Sequence, residues 1–122
     1  MSTALVIDDN RQAADGVCRM VSLLGLQARS AYGPREAMLT LREDIPDIIF
    51  LDIQLPGVDG FEVLSFLRRE PRLKDIPVVM VTSDDQPKTA LKAHRTGALL
   101  TLVKPVSVET LERVLRTARL IK

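Results

Sequence analysis

The sequence predicts an α/β domain with an open, doubly wound parallel sheet, and three observations carry that reading. The apolar runs Ala4–Ile7, Ile48–Leu51, Val78–Val81 and Leu99–Val103 show little alternation, as strands buried on both faces do. Segments with helical spacing stand between them, so strand and helix alternate five times along the chain. Four of the five strands stop at a polar group: Asp8-Asp9, Asp52, Thr82 and Lys104. In such a sheet, ligands bind beyond the carboxyl ends of the strands, where strand order reverses.

Each element has its own signal. After Ala4–Ile7, Asn10 caps a helix with the apolar face Ala14, Val17, Val21 and Leu24, and Gly25 closes it as a left-handed cap. Leu26–Ala31 alternates with polar residues and reads as a weak strand at a sheet edge. Pro34 opens a short helix through Arg42, as proline does at a first helical position. Ile48–Leu51 is the third strand. A carboxylate in mid-strand is very costly, but Asp52 at the carboxyl end can face a crevice.

Pro56-Gly57 and Asp59-Gly60 are closely spaced turn signals that set backbone shape, and Phe61–Arg69 follows as a helix presenting Phe61, Val63, Leu64 and Leu67. Arg68–Pro77 reads as a polar, proline-broken connection in which Arg68, Arg69, Arg72 and Lys74 form a solvated face. Val78–Val81 is the fourth strand, and a helix from about Gln86 to Thr96 ends at Gly97. In the fifth strand, Leu99 and Leu100 read as core; if exposed, they would mark an apolar partner patch. Ser107 caps the last helix, with Glu109 and Glu112 early and Arg116, Arg119 and Lys122 late, an order that complements the helix dipole. Arg113, Arg116 and Arg119 give that helix a basic stripe.

Composition narrows the function. At 122 residues and 46% hydrophobic, residues 1–122 form one globular domain with a core. A net charge of +1 gives no field toward nucleic acid or a membrane surface. No apolar run approaches the roughly 20 residues of a membrane span. Met1-Ser2-Thr3 lacks the basic and apolar regions of a signal peptide, so a cytoplasmic location is expected. The single cysteine, Cys18, excludes an internal disulfide and reads as a half-buried helix residue. His94 reads as a solvated helix residue, and Met38 and Met80 as core. No glycine-rich phosphate loop of the GxxxxGK[ST] or GxGxxG kind is present, which argues against a nucleotide or flavin enzyme.

The acidic pair Asp8-Asp9, the segment Asp52-Ile-Gln-Leu-Pro-Gly-Val-Asp-Gly60, Thr82, Gly97-Ala98 and Lys104-Pro105 together resemble the receiver domain of two-component response regulators over the whole chain. The resemblance implies a flavodoxin-like (βα)5 sandwich with strand order 2-1-3-4-5, as a single receiver domain with no output domain in this chain. It implies that Asp52 accepts a phosphoryl group from a histidine kinase or histidine phosphotransfer protein, and that the Lys104–Pro105 bond is cis. Such a domain is a phosphoacceptor rather than an enzyme in the usual sense, catalysing only its own phosphorylation and slow dephosphorylation.

The residue types suit that chemistry. A carboxylate is a workable nucleophile for phosphoryl transfer. Two carboxylates about 5 Å apart repel by about 3 kcal/mol at an effective dielectric of about 20, so a crowded site calls for a cation. Mg²⁺, a hard ion with oxygen ligands, is the expected cofactor. Asp9 and Asp52 are expected as direct ligands and Asp8 as direct or through water. The backbone carbonyl of Gln54 is the further ligand that the family implies. Lys104 would place a point charge, and Thr82 a hydroxyl donor, on the phosphoryl oxygens.

Thr82 moving toward the phosphate would alter the face formed by the fourth helix, fifth strand and fifth helix. That face would serve an effector, an output domain or a homodimer. Thr101 stands where receivers usually carry an aromatic switch residue, so the alternative is a non-enzymatic interaction module with weakened switching. A haloacid-dehalogenase-type phosphatase would want an acid at Gln54. Gln54 and Asp84 flank the crevice and are expected to tune hydrolysis.

Overall fold

A computed structural model of the chain describes residues 1–122. Five strands form one parallel sheet: β1 (Thr3–Ile7), β2 (Gln27–Ala31), β3 (Ile48–Asp52), β4 (Val78–Thr82) and β5 (Leu100–Val103). The order across it is β2-β1-β3-β4-β5, so the fold is the expected flavodoxin-like sandwich. The helices are α1 (Arg11–Leu23), α2 (Pro34–Glu43), α3 (Gly60–Arg69), α4 (Pro87–Thr96) and α5 (Val108–Thr117). No helix is long and apolar enough to cross a membrane.

The pleat of the strands divides the core into two layers. Leu5, Ile7, Ile49, Leu51, Val78 and Met80 face α2, α3 and α4. Ala4, Val6, Ile48, Phe50, Val79, Val81 and Leu102 face α1 and α5. Every residue of β3 and β4 is buried, which is why those strands read as unbroken apolar runs. The edge strand β2 is only half-covered and alternates accordingly.

The caps follow the sequence signals. Asn10 accepts a hydrogen bond from the Ala13 N–H, Asp59 from Phe61 and Ser107 from Thr110. Gly97 closes α4 at φ +115°, and Gly25 follows α1 at φ +104°.

Four expectations are corrected. First, α5 stops at Thr117 rather than running on to Lys122: Arg119 has φ +60°, so Arg119 and Lys122 lie off the helix and the basic stripe reduces to Arg113 and Arg116. Second, β5 begins at Leu100; Leu99 is 39% exposed and is not core, and Leu100 is half-buried.

Third, the connection after α3 carries two core anchors, Leu73 and Ile76. Fourth, Arg68 lies within α3 and is not part of the solvated face, whereas Arg69, Arg72 and Lys74 are exposed. Arg68 is half-buried and donates to the carbonyls of Gly97 and Lys74, while Arg72 donates to that of Leu41. Burial pulls the Arg68 pKa down, with the nearby Asp75 charge opposing.

Gly60, at the start of α3, is the most closely enclosed of the glycines. Its N–H donates to the Ile53 carbonyl at 2.8 Å. A Cβ there would lie 2.5 Å from the Asp52 carbonyl oxygen and 2.6 Å from Ile53 Cα. These atoms are all backbone, so nothing flexible is there to yield. Gly60→Ala is therefore expected to cost about 1–3 kcal/mol of stability. Urea denaturation checks this, and an unchanged midpoint would contradict it.

Candidate functional site

The pleat that divides the core also gathers the site. Side chains alternate along a strand, so Asp8 continues the Ala4–Val6 face, Asp52 the Ile48–Phe50 face and Lys104 the Leu102 face. All three emerge on the α1/α5 side. Backbone ladder bonds persist to these positions: Asp8 N–H donates to Ala31, Ile53 N–H to Val81 and Lys104 N–H to Thr82. The polar ends are therefore as firmly placed as the strands below them.

Lys104 Nζ lies 3.1 Å from Asp8 Oδ2 and 3.4 Å from Asp52 Oδ2. Asp8 and Asp52 are 5% and 6% exposed, whereas Asp9 is exposed. One carboxylate oxygen from each of Asp8, Asp9 and Asp52 can be chosen so that all lie within 4.8 Å of one another. Hard oxygen donors so close suit a small divalent cation. The other oxygen of each buried acid is held by backbone: Asn10 N–H donates to Asp8 Oδ1 and Gln54 N–H to Asp52 Oδ1. The Lys104–Pro105 bond is cis. A cavity of about 410 Å³ opens here, lined by Asp8, Asp52 and Lys104 and by Ala13, Gly16 and Val17 of α1.

The electrostatics follow from this crowding. Burial, with the Asp8 charge adding to it, raises the Asp52 pKa to about 6, although the Gln54 N–H and Lys104 pull the other way. For Lys104, burial lowers the pKa, but the hydrogen bond to Asp8 and the charges of both acids outweigh it, and the net direction is up.

Thr82 is 1% exposed and sits on the opposite pleat, following Val78 and Met80 toward α4. Its Oγ1 accepts a hydrogen bond from the Asp84 N–H at 3.0 Å. The Asp84 carboxylate turns toward α4. Oδ1 accepts from Gln86 N–H, and Oδ2 accepts from the Thr89 hydroxyl at 2.6 Å, so the group is engaged with the start of α4. Those two bonds, Thr89 first, hold its pKa below the usual carboxylate value.

The sequence carries no signal for Thr89, because the spacing from Asp84 to Thr89 matches no familiar motif. Thr101 Oγ1 is buried without a hydrogen-bond partner.

The comparisons bear on this geometry. Residues 4–116 match the family model "Response regulator receiver domain". The chain belongs to the response regulator receiver family. Receiver domains are phosphoacceptor signalling domains that take phosphate from histidine kinases, act on effectors and bind Mg²⁺ at an acidic cluster.

This receiver is 32% identical over 111 residues to Protein PilH of Pseudomonas aeruginosa, covering 91% of this chain and 92% of that protein. It is 35% identical over 107 residues to the phosphate regulon transcriptional regulatory protein PhoB of Escherichia coli. There it covers 88% of this chain but only 47% of PhoB, so the receiver spans about half of that relative. Among solved structures, the chemotaxis response regulator CheY4 of Vibrio cholerae superposes with a TM-score of 0.89 at 28% identity, covering 97% of this chain and 98% of that one.

Cys18, His94, Met38 and Met80 lie outside the crevice. Cys18 is half-buried 3.1 Å from Ser30, and burial raises its pKa. His94 is exposed, Met80 is fully buried and Met38 packs on the core edge.

The Asp52 shift has a measurable consequence. The folded chain holds this proton more tightly than the unfolded chain, so stability falls as pH rises from about 4 to about 6. At pH 7, without added metal, Asp52→Asn is expected to be more stable than the parent by about 1–2 kcal/mol, and the gap should close by about pH 4. Denaturation midpoints at the two pH values check this; a variant less stable at pH 7 would contradict it.

Proposed function

We propose that Asp52 is the phosphoacceptor of a cytoplasmic signalling receiver. One Asp52 carboxylate oxygen attacks the phosphorus of a phosphohistidine on a sensor kinase or phosphotransfer protein. The P–N bond breaks, an acyl phosphate forms and the histidine leaves. The observation that supports this most is the placement of Asp52, buried at a strand end and within reach of Lys104, Asp8 and the adjoining cavity.

Asp9 and Asp52 would hold Mg²⁺ directly, Asp8 directly or through water, and the Gln54 backbone carbonyl would complete the protein ligands. The bound ion supplies neutralising charge to the crowded carboxylates and the phosphoryl oxygens. Lys104 swings part of its charge from Asp52 to a phosphoryl oxygen, and the Thr82 O–H donates to another. The acyl phosphate is then lost slowly to water, which resets the domain.

The output is a changed face on α4, β5 and α5, used by an effector, an output domain or a second copy of the chain. Exposed Leu91, Leu99 and Val103 on or beside these elements fit a surface that meets a partner. A second reading, an interaction module with weakened switching, draws support from Thr101, whose unpaired hydroxyl gives it no polar tie to its surroundings.

With Mg²⁺ and acetyl phosphate, the protein should gain one phosphoryl group by intact mass. Asp52→Asn should gain none, and Lys104→Ala should be slowed by about 10²-fold or more. Chelation with EDTA should abolish labelling. Equal labelling of the parent and Asp52→Asn would refute the assignment.

A further inference from the structure

The helix α4 is held differently at its two ends. At its carboxyl end, Gly97 is fastened to α3, because Arg68 Nε donates to the Gly97 carbonyl at 2.9 Å. Along its length it buries one side chain, Ala93, whereas α3 buries Gly60, Val63, Leu64 and Leu67. Lys92 adds a contact over the Phe61 ring at 4.3 Å. At its amino end, Gln86 provides no side-chain cap and Pro87 has no N–H to offer.

That end is instead tethered by Asp84, through Gln86 N–H and the Thr89 hydroxyl. The same residue's N–H holds the hydroxyl of Thr82. A continuous polar chain therefore runs from Thr82 through Asp84 to Thr89. No comparable chain passes through β5, where the Thr101 hydroxyl is buried and unpaired.

We infer that the Asp84–Thr89 hydrogen bond is the latch by which the state of the Asp52 crevice sets the position of the amino end of α4. Thr89 is a positioning residue in this scheme and touches no reacting atom. When Thr82 is drawn toward a phosphoryl oxygen, its bond to Asp84 N–H carries the Asp84 turn with it. The carboxylate then pulls the first turn of α4 through Thr89, while Arg68 keeps the far end fixed. The result is a swing of α4 about its carboxyl end. This rests on the phosphoacceptor reading of Asp52.

The test uses the full chain labelled with ¹⁵N and titrated with beryllofluoride and Mg²⁺, a stable stand-in for the phosphoryl group. In the parent, amide signals near the crevice (Asp9, Gln54) and in α4 (Leu91 to Arg95) should both shift. In Thr89→Val the crevice shifts should persist and most of the α4 response should be lost. Thr89→Ser, which keeps the hydroxyl, should restore it, and Thr101→Val should respond as the parent does.

An α4 response in Thr89→Val equal to the parent's overturns the latch while leaving the phosphoacceptor standing. A response lost in Thr101→Val instead assigns the route to β5 and also overturns it. A parent whose crevice signals stay still refutes the phosphoacceptor reading itself, and the latch with it.

Discussion

The interaction on which this structure depends is the enforced closeness of like charges at the carboxyl end of the sheet. Asp8 and Asp52 are nearly inaccessible to solvent, and Lys104 is the only cation that bridges them. Water would normally screen two such carboxylates; here the Asn10 and Gln54 N–H groups and one ammonium stand in for it. The compensation is incomplete, as the elevated pKa of Asp52 records. A crevice that keeps residual negative charge and open volume is poised for a cation and an anion that arrive together, since each lowers the cost of the other.

The regularity of the β-pleat explains why the crowding can be sustained. Because β1, β3 and β5 present Asp8, Asp52 and Lys104 on one face, every strand can keep its hydrogen-bond ladder intact to the last residue. No bulge or strained backbone is needed to aim the three groups. Thr82 lies one register step out of phase and points to the other layer. One crevice is thus shared by two faces of the sheet: the charges belong to the α1/α5 side, and the hydroxyl belongs to the α4 side.

The sequence disclosed the fold and the clustering of Asp8, Asp9 and Asp52 at the strand ends, because both rest on local signals. Unbroken apolar runs marked β3 and β4, and Asn10, Gly97 and Ser107 marked helix ends through cap chemistry that acts within a few residues. What stayed hidden depends on neighbours distant in the chain. Arg68 looks like a surface cation until Gly97, 29 residues on, is seen to supply its acceptor. Leu73 and Ile76 were masked by the charged and proline residues around them. The end of α5 was overrun because Arg119 suits a helix terminus by charge, and charge says nothing about its positive φ. The sequence places Asp84 beside the crevice, and only the Thr89 contact reveals that its carboxylate turns toward α4.

The loose anchoring of α4 and the stiffness of the crevice are complementary. Burying a Val or Leu side chain contributes about 1.5–3 kcal/mol, so a helix such as α3, with three such residues inside, would not shift for the sake of a few hydrogen bonds. A charge-assisted hydrogen bond contributes about 1.5–3 kcal/mol, and inverting a two-state population from 1:99 takes about 5.5 kcal/mol. On the proposed reading, a handful of new bonds to a phosphoryl group is enough to reposition an element that buries one alanine, and too little to move one held by a full apolar stripe. On that reading, the weak packing of α4 in the core is what leaves it free to respond.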